Sequence, residues 1–119
     1  MKVDFEDGDI KRILKSYYNK KNADCDDVII KAEEADYDCE VTFCINAKMN
    51  LLGEDYKTTI ELNEDEVNEI ITNILYDEGY EVRNILFHKG ISHGCAYFDG
   101  ITISMAKLKN KTKSIGERK

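Results

Sequence analysis

Residues 39–51 read CEVTFCINAKMNL, and their alternation decides the fold. Cys39, Val41, Phe43, Ile45, Ala47, Met49 and Leu51 take the odd positions; Glu40, Thr42, Cys44, Asn46, Lys48 and Asn50 take the even ones. A period of two puts the first set on one face of a strand and the second on the other. One face packs, and the other meets solvent or a partner. The run Gly53-Glu54-Asp55 turns the chain, and YKTTIEL (56–62) returns with Tyr56, Thr58, Ile60 and Leu62 on one side. Together these segments predict a β-hairpin.

Upstream, Ile10, Ile13, Leu14 and Tyr17 follow the i, i+3, i+4, i+7 stripe of a half-buried helix. Asp9 is placed to cap its first turn, with Asp7 suiting the same positive end and Lys20 and Lys21 the other. DVIIKAE (27–33) predicts a short strand with Val28 and Ile30 on one face. Downstream, Asn63 and Glu66 form the spacing of a capping box. Behind it, Val67, Ile70, Ile71, Ile74 and Leu75 make a buried helical stripe, and Gly79 suits the left-handed position that ends it. YEVRNILFH (80–88) predicts another strand, with a bulge where Asn84 interrupts the alternation. HKGISHGC (88–95) reads as a glycine-rich turn. CAYFDGITISMAKL (95–108) is one long strand or, if Asp99-Gly100 turns, a hairpin. The expected fold is α+β, in the order αβββαββ. It has a five-stranded, mainly antiparallel sheet with both helices on one face.

The chain of 119 residues is one domain in size, and 42% hydrophobic residues suffice for a core without disulfides or metal. We expect a single domain over 1–106 and a basic, flexible C-terminal tail over 107–119. The net charge of −7 is uneven: the first 106 residues sum to −12 and the tail to +5. The body repels phosphate backbones, so direct binding of nucleic acid by it is not expected, whereas basic surfaces attract it. The tail reads as a solvated end, a basic arm for an anionic partner, or an arm folding back on the acidic body. No apolar run is long enough to cross a bilayer, and the charged start MKVDFEDGDIKR has no apolar core of a signal peptide. The expectation is a cytoplasmic protein without a membrane partner, its four cysteines reduced.

Metal and thiol chemistry have few candidates. Cys39 and Cys44 are five apart, so a regular strand points them to opposite faces. His88, His93 and Cys95 are the fallback ligand set, with His93 and Cys95 two apart. Cys95 beside a histidine is also the one Cys/His arrangement close in sequence, but it opens a strand rather than a helix. Cys39 and Cys95 otherwise read as small core residues. KGISHG lacks phosphate-loop spacing, and the acidic run 24–38 lacks the glycine and closing glutamate of a calcium loop. No cofactor and no enzyme activity are expected.

The acidic clusters carry the remaining signal. Asp24, Asp26 and Asp27 run up to the start of the first predicted strand; Glu33, Glu34, Asp36 and Asp38 run on from its end into the following turn. Aligned, they would form a negative surface able to mimic a phosphate backbone and bind a basic groove, with salt-sensitive association. Size, acidity and a bias toward Ile, Asn, Lys, Asp and Tyr, typical of AT-rich genomes, give a resemblance at the level of a class. The chain looks like small phage or mobile-element proteins, which include inhibitors of host defence such as anti-CRISPR proteins; no motif specifies that class. The leading expectation is a non-catalytic acidic binding protein, an inhibitor of a nucleic-acid-handling protein. The alternatives are a structural homodimerisation module, using the sheet face or an edge strand, and a zinc or thiol protein using His93 and Cys95.

Overall fold

The computed structural model describes residues 1–21 and 23–108. Its elements are β1 (Lys2–Phe5), α1 (Asp7–Asn19), β2 (Ala23–Ala35), β3 (Asp38–Leu51), β4 (Glu54–Leu62), α2 (Glu64–Asp77), β5 (Tyr80–Ser92) and β6 (Cys95–Lys107). The class is α+β, but the expected five-stranded sheet is wrong. Two separate three-stranded antiparallel sheets form instead, ordered β2-β3-β4 and β1-β6-β5. After β1, the element order is the expected αβββαββ. The unforeseen strand, KVDF, is too short to show a period. It pairs with β6 and thereby closes one edge of the β5–β6 hairpin. That hairpin therefore builds its own sheet.

The helices do not share one face of one sheet. α1 packs chiefly on β2 and α2 chiefly on β5. One core nevertheless joins both sheets, with Ile10 and Leu14 of α1, Val67 and Ile71 of α2, Phe43 and Ile45 of β3, and Ile101 and Ile103 of β6 buried together. At its centre the Phe43 ring meets Phe98 and Phe87 edge-on, at centroid distances of 5.7 and 6.3 Å. This aromatic triad packs β3 of one sheet against β5 and β6 of the other.

Local chemistry explains the boundaries. In α2 the Glu66 N–H donates to Asn63 Oδ1 (2.8 Å) and the Asn63 N–H donates to Glu66 Oε1 (3.0 Å), the reciprocal box read from the sequence. Gly79 takes φ +98° just past the helix end. In α1 the cap is Glu6 rather than Asp9; Asp9 sits at the third helical position and accepts from the Glu6 N–H.

All three hairpins turn on two residues with positive φ: Asp36-Tyr37, Leu52-Gly53 and His93-Gly94. These are the left-handed turns that match strand twist. HKGISHGC is thus mostly strand, with β5 running to Ser92. Gly90 is no turn residue, because the Tyr97 ring opposite covers it at a distance a side chain would need. Asp99-Gly100 is a bulge within β6; Gly100, at φ +89°, lets the Phe5 carbonyl approach to where a Cβ would lie 2.5 Å away. The bulge expected at Asn84 falls at Arg83. β6 ends at Lys107, and the Leu108 N–H donates to the Gly79 carbonyl (2.8 Å). Residues 109–119 of the expected tail lie outside the described residues.

The hairpins reach beyond the core. The principal extents are 55 × 44 × 21 Å and the radius of gyration is 16.8 Å, against about 13.5 Å for a compact chain of this length. The tips are therefore surface features with little packed against them.

Candidate functional site: an acidic hairpin end

The acidic residues singled out from the sequence separate into two groups. Asp24, Asp26 and Asp27 lie within the start of β2, which begins at Ala23, earlier than expected. Glu33, Glu34, Asp36 and Asp38 surround the β2–β3 turn. An extended strand rises about 3.3 Å per residue, so Asp26 and Asp36 stand roughly 30 Å apart. They do not form one patch.

The first group has polar and basic neighbours on the ladder, with no ion pair to it among the described residues. Asp24 faces Lys48 across the ladder, and Lys48 faces Lys57 in turn. Asp27 Oδ1 accepts from Asn46 Nδ2 (2.9 Å), and Thr59 Oγ1 donates to Asn46 Oδ1 (3.1 Å). Asp26 is the extra residue of a bulge between Cys25 and Asp27.

The second group gains neighbours that the sequence did not reveal. Glu40 faces Glu33 directly across the strand pair. An open groove of about 360 Å³ brings Glu40, Val41 and Thr42 beside Asn63, Glu64 and Asp65 of the α2 start. Glu33, Glu34, Asp36, Asp38, Glu40, Glu64 and Asp65 thus gather at one end of the molecule. Adjacent strand residues alternate faces, so Glu33 and Glu34 carry charge to both sides of the hairpin. Tyr37 caps its apex, 98% exposed.

One cation ties this end to the rest of the fold. Lys89 Nζ donates to Glu64 Oε2 (2.7 Å) and to the Cys39 carbonyl (2.7 Å), while the Val41 N–H donates to the same Glu64 oxygen (3.2 Å). Both side chains of the ion pair are 24% exposed. The hydrogen bond to Glu64 holds the Lys89 ammonium above its ordinary pKa, against the opposing effect of burial. Among the described residues no cation lies within ion-pair distance of Glu33, Glu34, Asp36, Asp38, Glu40 or Asp65. Like charges directly opposite on a strand pair cost stability. Lys31, on the same face and diagonal to Glu40, is the nearest basic neighbour along the ladder but makes no ion pair with either glutamate, so a basic group from outside would relieve the pair further.

The fallback metal residues are spread along the other sheet. His88 lies on β5, His93 in the turn, and Cys95 at the start of β6, exposed. Cys95 is thus not the core residue that the sequence suggested. His88 Nε2 lies 2.6 Å from Thr102 Oγ1, and Thr102 Oγ1 donates to Asp4 Oδ1 (2.6 Å). Because the hydroxyl proton goes to Asp4, the imidazole must donate to Thr102, so it does not act as a base toward that hydroxyl. Among the described residues no group of three or more His, Cys, Asp or Glu is placed to share a metal ion.

All four cysteines are free thiols. Cys39 and Cys44 point to opposite faces as expected. Cys44, though on the outer face, is only 4% exposed, with Ile29 and Glu61 on either side. Burial pushes the Cys25 thiol pKa up, away from the reactive thiolate. No helix among the described residues is long and apolar enough to cross a membrane.

No protein-family model, curated protein or solved structure matches the chain.

Proposed function

We propose that the protein is a non-catalytic binding module that docks its acidic hairpin end on a basic protein surface. The observation that carries this reading is the like-charged Glu33–Glu40 pair, at the centre of an acidic rim with Tyr37 exposed at its apex. A basic partner surface would supply the missing counter-charges. Tyrosine is a frequent anchor of such interfaces, because it adds contact area at little entropic cost.

The partner class that fits is a nucleic-acid-handling protein, whose basic groove holds phosphates and would accept carboxylates instead. In that role the protein would act as an inhibitor by occlusion, in the cytoplasm, as a phage or mobile-element product would. Asp24, Asp26 and Asp27 fall outside this surface in our reading, since they lie at the far end of β2, where Lys48 faces Asp24 and Asn46 donates to Asp27.

A panel of nucleases and other nucleic-acid enzymes, immobilised and probed with the full chain, tests the proposal. We expect binding to at least one enzyme, with an association rate that falls steeply as salt rises. The variant Glu33→Lys/Glu40→Lys should lose that binding while keeping its fold. Absence of any binder, or binding indifferent to both salt and the variant, would sink the reading.

A further inference from the structure

Among the described residues the two sheets have four edges, and three of them are guarded by their shape or covering against pairing with another chain. Short length, bulges, a covering helix and charged side chains, lysine above all, are the usual guards. β1 is only four residues long. β2 has the bulge at Asp26, and α1 packs on it. β5 has register shifts at Arg83 and at His88, and α2 packs on it. Among the described residues β4 has no guard of shape: its nine residues pair with β3 in unbroken register, without proline or bulge, and its one lysine, Lys57, is offset by Glu61 on the same face.

The backbone groups that β4 offers follow from its turn. In a two-residue hairpin the flanking residues, here Leu51 and Glu54, exchange ladder bonds, and bonded and non-bonded pairs then alternate. With no register shift, Tyr56, Thr58, Ile60 and Leu62 bond to β3. Asp55, Lys57, Thr59 and Glu61 turn their N–H and C=O groups outward. The free row is thus centred on residues whose side chains sit on the outer, polar face.

We infer that two copies of the chain associate by pairing β4 with β4, antiparallel, with Thr59 on the two-fold axis. The side chains select that register. Thr59 faces Thr59 of the second copy, and Lys57 faces Glu61 of the second copy, twice by symmetry. On the other face Thr58 meets Ile60, and Tyr56, 47% exposed in the single chain, meets Leu62. A shift of two residues toward the turn that puts Lys57 on the axis opposes two lysines. The register centred on Thr58 opposes Asp55 to Glu61. A register centred on Tyr56 pairs Lys57 with Asp55 but leaves Glu61 without a facing charge; the Thr59 register alone gives both Lys57 and Glu61 an opposite charge, and cross-strand pairs of this kind are the unit of sheet stability. The association is isologous and closes at two, giving a six-stranded sheet ordered β2-β3-β4-β4-β3-β2. It leaves the acidic hairpin end of each copy outside the contact, so it stands or falls independently of the docking proposed above.

Light scattering coupled to size exclusion, on the full chain across a dilution series, tests this directly. We expect a species of twice the 13.7 kDa chain mass that dissociates on dilution. Lys57→Glu should weaken the dimer roughly tenfold or more, since two attractive pairs become repulsive. It should not harm the monomer, where residue 57 faces Lys48 across the ladder and the change removes a like-charge pair. The double variant Lys57→Glu/Glu61→Lys should restore the dimer, because the facing pairs become Glu–Lys again. Thr59→Pro, which removes an outward N–H that β3 does not use, should abolish it, with circular dichroism checking the fold. A monomer at every concentration overturns the inference. So does a dimer that Lys57→Glu leaves intact, or one that the double variant fails to restore.

Discussion

Glu33 and Glu40 face each other on exposed strand positions with no cation within ion-pair distance among the described residues. Such a pair is unfavourable for folding, by a few tenths of a kcal/mol. Glu33→Gln should therefore stabilise the isolated protein and raise Tm by about 1 °C, while weakening any interaction made through the acidic end. A calorimetric scan showing a lower Tm would mean that Glu33 is satisfied within the fold, and the argument for an external counter-charge would lose its footing. Neither residue's position could be read fully from sequence. Glu33 was visible as one of an acidic run, but Glu40 looked like an ordinary outer-face residue until the register set it opposite. Glu64 and Asp65 lie in the first turn of α2, where acids favour a helix N-terminus. Their second role needs α2 to pack beside β3, a contact that no local pattern encodes.

At the scale of elements, the hairpins show where local rules held and where they gave way. The β3–β4 hairpin and α2 were legible because their signals are short-range: strict alternation in 39–51, and a box closed between Asn63 and Glu66. The turns were harder, since only Leu52-Gly53 and His93-Gly94 have glycine at one position and Asp36-Tyr37 has none. Leu52 adopts φ 55° with its side chain fully exposed. A left-handed conformation costs a leucine roughly 1 kcal/mol that asparagine largely escapes. Leu52→Asn should thus stabilise the protein by about 0.5–1 kcal/mol in urea unfolding. No change, or a loss, would show that Leu52 makes a contact in solution. β5 was cut short in the sequence reading because Gly90 looked like punctuation, whereas it lies inside the strand beneath the Tyr97 ring. Tyr97 is seven residues away, and strand pairing alone makes them neighbours.

For the whole molecule, the expected single sheet divided into two because pairing partners are not written in periodicity. β1, four residues at the start of the chain, takes the edge of β6 across nearly the full sequence. What then unites the sheets is side-chain packing, centred on Phe43 against Phe87 and Phe98. Phe43 is fully buried, so Phe43→Ala should cost about 3–5 kcal/mol. Because it faces both sheets, the loss should appear as one cooperative transition shifted to lower denaturant. Separate unfolding of the two sheets, seen as non-coincident transitions by two probes, would contradict a shared core. The same packing brings the start of α2 to the β2–β3 hairpin and so assembles the acidic end, on which the functional reading rests. Amide hydrogen exchange on the full chain, with and without each enzyme of the binding panel, tests that reading most directly. Our account predicts slowed exchange in residues 33–41 and 63–66 when a binder is present. Protection confined to other segments, or none with any enzyme, would contradict it.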